Sequence, residues 1–144
     1  MTNSRNRATF EISYHLVLVT KYRCKCLTEA MLADLRACLA ATLAHWRCSL
    51  IECGGEADHI HCLFEAHPAL DLSGLVNNLK TVTSRIIRRD YADHLSRFYR
   101  IPVLWHAAYY VGSVGAVTLE TVKRYVERQG EGRWPEAKRQ EHLI

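Results

Sequence analysis

The apolar residues of this chain follow a period of two in some stretches and a period near 3.6 in others. The β-branched and aromatic run over residues 14–20 predicts a strand. Apolar residues then recur at helical spacing from Met31 to Trp46 behind Thr28 as a cap, which predicts an amphipathic helix of about 17 residues. The first two predicted elements are therefore a strand and a helix.

A pair of glycines separates the next two apolar runs. Residues 48–53 and residues 59–65 each predict a short strand, and Gly54 with Gly55 is typical of a turn between them. Pro68 then breaks the chain. These runs are the second and third predicted strands.

The rest of the chain continues with a helix, a strand and a final helix. The predicted elements are a helix with an apolar stripe from Leu72 to Ile86 behind Asp71 or Ser73 as its cap, a strand over residues 103–111, and a helix over residues 119–129 behind Thr118. The tail over residues 130–144 is polar.

The order strand, helix, strand, strand, helix, strand is that of the split βαβ, or ferredoxin-like, arrangement. We therefore expect an α+β fold with an RRM-like antiparallel sheet, helices on one face, and an additional C-terminal helix. The length of 144 residues predicts a single domain over residues 1–144, with its core over about residues 14–129. The third strand is central in such a sheet.

Composition indicates the solubility and cellular location of the protein more than its function. No apolar run reaches the roughly 18 residues that a membrane helix needs, and the N-terminal stretch is polar with no signal-peptide core. We therefore expect a soluble intracellular protein. The six cysteines show no CxxC spacing, so most are expected to be small core residues.

Basic residues exceed acidic ones, by 19 to 15, and the formal net charge is +4. This excess favours a polyanionic partner without specifying it. The candidate contacts with such a partner are Lys21, Arg23, Lys80, Arg85 and Arg88. For the last three, an ordinary solvated helix face is the alternative interpretation.

Two histidines one residue apart, His59 and His61, lie in the third predicted strand. Residues i and i+2 of a strand point to the same face, so both imidazoles face one way while Ile60 faces the other. Two imidazoles on one face suit one metal ion. Among eight histidines the spacing also arises by chance, so surface or half-buried histidines are the alternative.

Tyr125 and Gln129 lie one helical turn apart in the final predicted helix. A tyrosine phenol can attack phosphorus and conserve the energy of a broken phosphodiester bond in a phosphotyrosine link. An amide oxygen can bind a metal ion. Taken singly, these residues are better explained as a packed aromatic residue and a surface amide, and the histidine pair is what makes them candidates for chemistry.

The histidine pair on a mid-chain strand, combined with the segment ETVKRYVERQ near the C-terminus, resembles the single-tyrosine HUH transposases of the smallest bacterial insertion sequences. Three segments also resemble sequences of that family: YHLVLVTKYR, LVNNLKTVTSRIIRR and VGSVGAVTLETVKRYVERQ. The resemblance covers residues 14–129.

The resemblance implies a metal-dependent DNA strand transferase and a role for each residue. His59 and His61 are metal ligands, Gln129 completes the site, and Tyr125 is the nucleophile that forms a 5′-phosphotyrosine intermediate and leaves a free 3′-OH. The family uses Mg²⁺ or Mn²⁺ and acts on single-stranded DNA at hairpins that mark element ends. Its members are homodimers that can exchange the tyrosine helix. Such a protein is prokaryotic and cytoplasmic, and associates with the nucleoid when it acts.

The sequence is compatible with three other functions. A domesticated hairpin-processing nuclease would carry the same residues. A non-catalytic ferredoxin-like nucleic-acid-binding module would stack bases on sheet aromatics, and the third predicted strand offers Phe64. A metal-dependent small-molecule enzyme would need a third ligand, for which Glu56 and Asp58 are candidates, with Asp58 expected to point away from the histidines.

Overall fold

The computed structural model describes residues 12–113, which form a four-stranded antiparallel sheet packed against helices. In chain order the elements are strand β1 (Ile12–Val19), helix α1 (Glu29–His45), strand β2 (Ser49–Glu56), strand β3 (His59–Ala66), helix α2 (Leu72–Asp90), the short helix α3 (Ala92–Leu95) and strand β4 (Tyr110–Ser113). The spatial order β2-β3-β1-β4 confirms the ferredoxin-like prediction, with β1 and β3 central. The predicted helix over residues 119–129 and the polar tail lie outside the described residues.

One face of the sheet and the inner sides of α1 and α2 enclose the core. Strand β3 alternates as predicted, because Ile60, Cys62 and Phe64 are buried while their neighbours are half-buried. The helices add buried stripes at helical spacing: Met31, Leu35, Leu39 and Leu43 from α1, and Leu75, Val76, Leu79 and Ile87 from α2. All six cysteines are free thiols, and three of them are buried.

Side chains predicted to cap the two long helices do so. The Met31 N–H donates to Thr28 Oγ1 at 3.2 Å, and the Gly74 N–H donates to Asp71 Oδ1 at 3.1 Å. Asp71 rather than Ser73 is therefore the cap of α2. Neither of these helices, nor α3, is long and apolar enough to cross a membrane.

The turn between β2 and β3 lies later in the chain than predicted. Gly54 and Gly55 are paired with β3 inside the ladder, and Ala57 with Asp58 forms the turn. Close approach explains the glycines, since a Cβ on Gly55 would lie 2.6 Å from the His59 carbonyl oxygen. Strand β2 therefore extends to the edge of the histidine pair.

Strand β4 is shorter than predicted and begins later. The stretch before it is irregular, apart from an isolated bridge between Thr20 and Trp105. Lys80 of α2 donates to the carbonyl oxygens of His106 and Ala107 at 3.0 and 2.8 Å, which satisfies these groups outside a strand ladder. An apolar run that reads as one strand is thus a loop followed by a short strand.

Candidate metal centre

His59 and His61 lie side by side on the face of β3 that points away from the helices. Their ring centroids are 6.0 Å apart and the ring planes meet at 25°. Ile60 between them is buried in the core, as strand alternation predicts. Because β3 pairs with β1 on one side and β2 on the other, the backbone that carries both imidazoles is held from two directions.

Asp58 holds the ring of His59 in one orientation. Its Oδ1 lies 2.9 Å from His59 Nδ1, and its Oδ2 accepts a hydrogen bond from Arg23 Nε at 2.6 Å. With Nδ1 donating to Asp58, Nε2 of His59 is the nitrogen left for a metal ion. The expectation that Asp58 points away from the histidines is wrong, because Asp58 lies in the turn before β3 and does not follow strand alternation.

The surroundings favour an ionised carboxylate at Asp58 and an uncharged imidazole at His61. Burial raises the pKa of the Asp58 carboxyl, but hydrogen bonds from His59 and Arg23 outweigh this effect and hold that pKa below its usual value. Burial, followed by the nearby imidazoles of His59 and His15, lowers the pKa of His61. His61 is therefore neutral at pH 7, which is the form that binds a metal ion.

Gly54 leaves the space that the ring of His61 occupies. It faces His61 across the β2–β3 ladder, and a Cβ here would lie 3.2 Å from both Cε1 and Nε2 of the imidazole. Such a contact is tighter than ordinary van der Waals packing, so a side chain at this position would press on the Cε1–Nε2 edge of the ring. Gly54 is thus part of the site.

Arg23 and Gly54 were not predicted from the sequence as neighbours of the histidines. Arg23 contacts Asp58 from 35 positions earlier in the chain, and no local pattern signals such a contact. A glycine inside a strand, by contrast, is a recognised sign of close approach. Gly54 could therefore have been identified if the strand boundary had been placed correctly.

The donors on this face suit a divalent metal ion. Two imidazoles leave coordination positions of a tetrahedral or octahedral ion open for further ligands. Within residues 12–113, His59 forms a group of three potential ligands with Glu56 and Asp58, whose ligand atoms lie within 4.8 Å of one another, and His61 is not a member of this group. The residues therefore fit the metal ion that the histidine spacing predicts.

Replacing Asp58 by alanine is expected to weaken Mn²⁺ binding by roughly 10- to 100-fold, the usual cost of removing a group that orients a histidine ligand. His59 would lose the acceptor for its Nδ1–H, and Arg23 would lose its partner. Titration calorimetry measures the affinity, with Asp34→Ala on α1 as a control at an exposed carboxylate. Wild-type affinity in the Asp58→Ala protein would show that Asp58 does not orient the ligand.

Two of the candidate DNA contacts are held within the fold. Arg23 forms an ion pair with Asp58, and Lys21 is buried with 4% of its surface exposed. The Lys21 N–H also donates to the Leu104 carbonyl oxygen at 2.8 Å. Both residues therefore support the framework next to the sheet, and DNA contact by either stays a prediction.

The other three candidates, Lys80, Arg85 and Arg88, line one groove with Trp105. Arg85 is exposed, whereas Arg88 donates through Nε to Ser84 Oγ at 3.0 Å. Burial lowers the pKa of Lys80, whose ammonium group holds the loop before β4. The groove lies on the helical side of the sheet, away from the histidines.

Sequence comparison finds relatives over most of the chain. The family described as IS200-like transposases matches residues 8–129, a span that contains Tyr125 and Gln129, which lie outside the described residues. The chain is 30% identical over 120 residues to the transposase of insertion sequence element IS200 of Salmonella typhimurium, covering 81% of this chain and 75% of that protein. It is 25% identical over 120 residues to the ISDra2 transposase TnpA of Deinococcus radiodurans, covering 83% and 85%.

Solved structures share the fold. A crystal structure of a proposed transposase from Deinococcus radiodurans R1 superposes with a TM-score of 0.78 at 26% identity, covering 90% of this chain and 98% of that one. A REP-associated tyrosine transposase bound to a REP hairpin superposes with a TM-score of 0.54 at 12% identity, covering 88% and 69%. At that identity, the second match shows a common fold.

Proposed function

Since the chain belongs to the IS200-like transposase family, we propose that it cleaves and rejoins single-stranded DNA at the hairpin-marked ends of a mobile element. The observation that carries this proposal is the pair His59 and His61 on one face of a central strand, with the His59 ring anchored by Asp58. The family match continues through Tyr125, which supports its assignment as the nucleophile.

Tyr125 would attack the scissile phosphorus through its phenolic oxygen. The bond between phosphorus and the 3′ oxygen breaks, the phenol gives up its proton, and a 5′-phosphotyrosine link and a free 3′-OH result. In the second step a 3′-OH attacks the same phosphorus and the phenol is restored. Because the covalent link conserves the energy of the phosphodiester bond, the reaction needs no ATP.

His59, His61 and Gln129 would hold the divalent ion, Mg²⁺ or Mn²⁺. When bound, such an ion supplies neutralisation of charge and polarisation at the scissile phosphate. The chain supplies the orientation of its own ligands. Asp58 leaves Nε2 of His59 available, and Gly54 leaves room for the ring of His61.

The substrate we propose is single-stranded DNA that carries hairpins, and the working form is a homodimer. The REP-associated tyrosine transposase of similar fold is bound to a hairpin. The basic groove of Lys80, Arg85 and Arg88 offers positive charge to a phosphate backbone. In the dimer, Tyr125 and Gln129 of one subunit would serve the histidine pair of the other.

Replacing Arg85 and Arg88 together by glutamine is expected to weaken hairpin binding and to reduce the slope of log affinity against log salt by roughly 2, since each phosphate contact contributes about 0.9. Fluorescence anisotropy at several salt concentrations gives the slope. Arg89→Gln is the matched control, because Arg89 is exposed on the same helix and pairs with Asp90. If the double variant keeps the wild-type slope, the DNA does not bind in this groove.

The proposal is tested with the full-length protein and hairpin-bearing oligonucleotides copied from the DNA that flanks its gene. With Mn²⁺ present, we expect a covalent protein–DNA adduct on a denaturing gel, and no adduct with chelator. A non-catalytic binding module would bind equally well in both conditions and form no adduct, which would refute the proposal. A domesticated hairpin nuclease would form the adduct too, and flanking DNA without paired hairpin ends would identify it.

A further inference from the structure

Strand β2 places a carboxylate on the same face as the histidine pair. In the β2–β3 ladder Glu56 is paired directly with His59, and Gly54 is paired with His61. Residues paired across an antiparallel ladder point to the same face, so the Glu56 side chain stands beside the imidazole of His59. The turn between them is only Ala57 and Asp58, which fixes this register tightly.

Glu56 is the carboxylate of this cluster with capacity to bind an ion. The ligand atoms of Glu56, Asp58 and His59 lie within 4.8 Å of one another. Both oxygens of Asp58 are already engaged, Oδ1 with His59 and Oδ2 with Arg23. Glu56 is exposed, and within residues 12–113 its carboxylate accepts no hydrogen bond, so it can reorient towards an ion without breaking a contact.

Glu52 on the same strand offers a comparison with Glu56. In the β2–β3 ladder Glu52 is paired with Leu63, two residues after His61, so its side chain faces the same side of the sheet as the histidines. Glu52 does not belong to the ligand cluster of Glu56, Asp58 and His59. This difference makes Glu52 a matched control on the same strand and the same face.

We propose that Glu56 is a direct ligand of the divalent ion and adds a carboxylate oxygen from β2 to the two imidazoles of β3. The inference rests on the proposed function, because that function requires a divalent ion at the histidine pair. It also gives that site a hard donor. Imidazoles alone favour softer ions such as Zn²⁺, whereas carboxylate oxygen suits Mg²⁺ and Mn²⁺. Glu56 would thus set the preference for the harder ions.

The test is metal affinity of the full-length protein in the absence of DNA. Titration calorimetry and the electron paramagnetic resonance signal of free Mn²⁺ are measured for the wild type, Glu56→Ala and Glu52→Ala. We expect Glu56→Ala to weaken Mn²⁺ binding by about 10-fold or more, and Zn²⁺ binding by less, since a lost ligand costs at least as much as a lost orienting group. Glu52→Ala should bind both ions like the wild type.

Three outcomes would overturn the inference: wild-type Mn²⁺ affinity in Glu56→Ala, an equal loss in Glu52→Ala, or an equal loss of Mn²⁺ and Zn²⁺ affinity. Thermal unfolding by circular dichroism checks that each variant is folded, which its exposed position favours. The covalent adduct assay separates this inference from the proposed function. If Glu56→Ala loses Mn²⁺ affinity and the wild type forms no covalent adduct, Glu56 is a metal ligand but the protein is not a strand transferase.

Discussion

Alanine at both His59 and His61 is expected to slow cleavage of single-stranded DNA by about a thousandfold or more. An ion held by these imidazoles contributes several kcal/mol to stabilisation of the transition state, and about 1.4 kcal/mol corresponds to a factor of ten in rate. Single-turnover cleavage of a hairpin oligonucleotide in Mn²⁺ measures the rate constant.

The control for this experiment is His45→Ala, since His45 is exposed at the end of α1 and is not on the strand that carries the histidine pair. DNA binding of the double variant should stay within about threefold of the wild type, because phosphate contacts carry most of the affinity. A double variant that cleaves at the wild-type rate would exclude His59 and His61 from the reaction.

Phenylalanine at Tyr125 is expected to abolish the covalent adduct, with cleavage below roughly 10⁻⁴ of the wild-type rate, because removal of a nucleophile leaves only binding and electrostatic effects. The substitution removes only the phenolic oxygen and keeps the ring. Denaturing electrophoresis with radiolabelled DNA detects the adduct at this level.

Tyr110→Phe is the informative control for the nucleophile. Tyr110 is paired with Val17 on β1, which in turn is paired with His61, so this tyrosine lies on the histidine face of the sheet. Its variant should still form the adduct. Loss of the adduct in Tyr110→Phe with retention in Tyr125→Phe would transfer the role of nucleophile to Tyr110.

The fold was predictable where periodicity decides it. The alternation of β3 put His59 and His61 on one face and Ile60 in the core, and the stripes of α1 and α2 are those of the sequence. The prediction was wrong for the strand ending at residue 111, because Lys80 satisfies the carbonyl groups of the loop before β4. The hydrophobic pattern of the loop cannot indicate that a side chain from a distant helix will bind its carbonyl groups.

The sequence predicted the two histidine ligands of the site but not the residues that contact them. The spacing of His59 and His61 depends on strand geometry alone, which the sequence carries. The Arg23–Asp58 contact and the Glu56–His59 register depend on how β2 ends and on where the turn falls. Gly54 and Gly55 predicted a turn, but they lie inside β2 and allow β3 to approach closely. The register between β2 and β3 therefore could not be predicted from the sequence.

Tyr125 is expected to become joined to the 5′ end of the cleaved DNA. The most direct test is tandem mass spectrometry of the adduct after nuclease trimming and trypsin digestion, which cuts after Arg124 and Arg128. The expected result is a nucleotide 5′-phosphate on the peptide of residues 125–128, attached to its tyrosine. A nucleotide 5′-phosphate on any other residue, or cleaved DNA with no attached peptide, would show that Tyr125 is not the nucleophile.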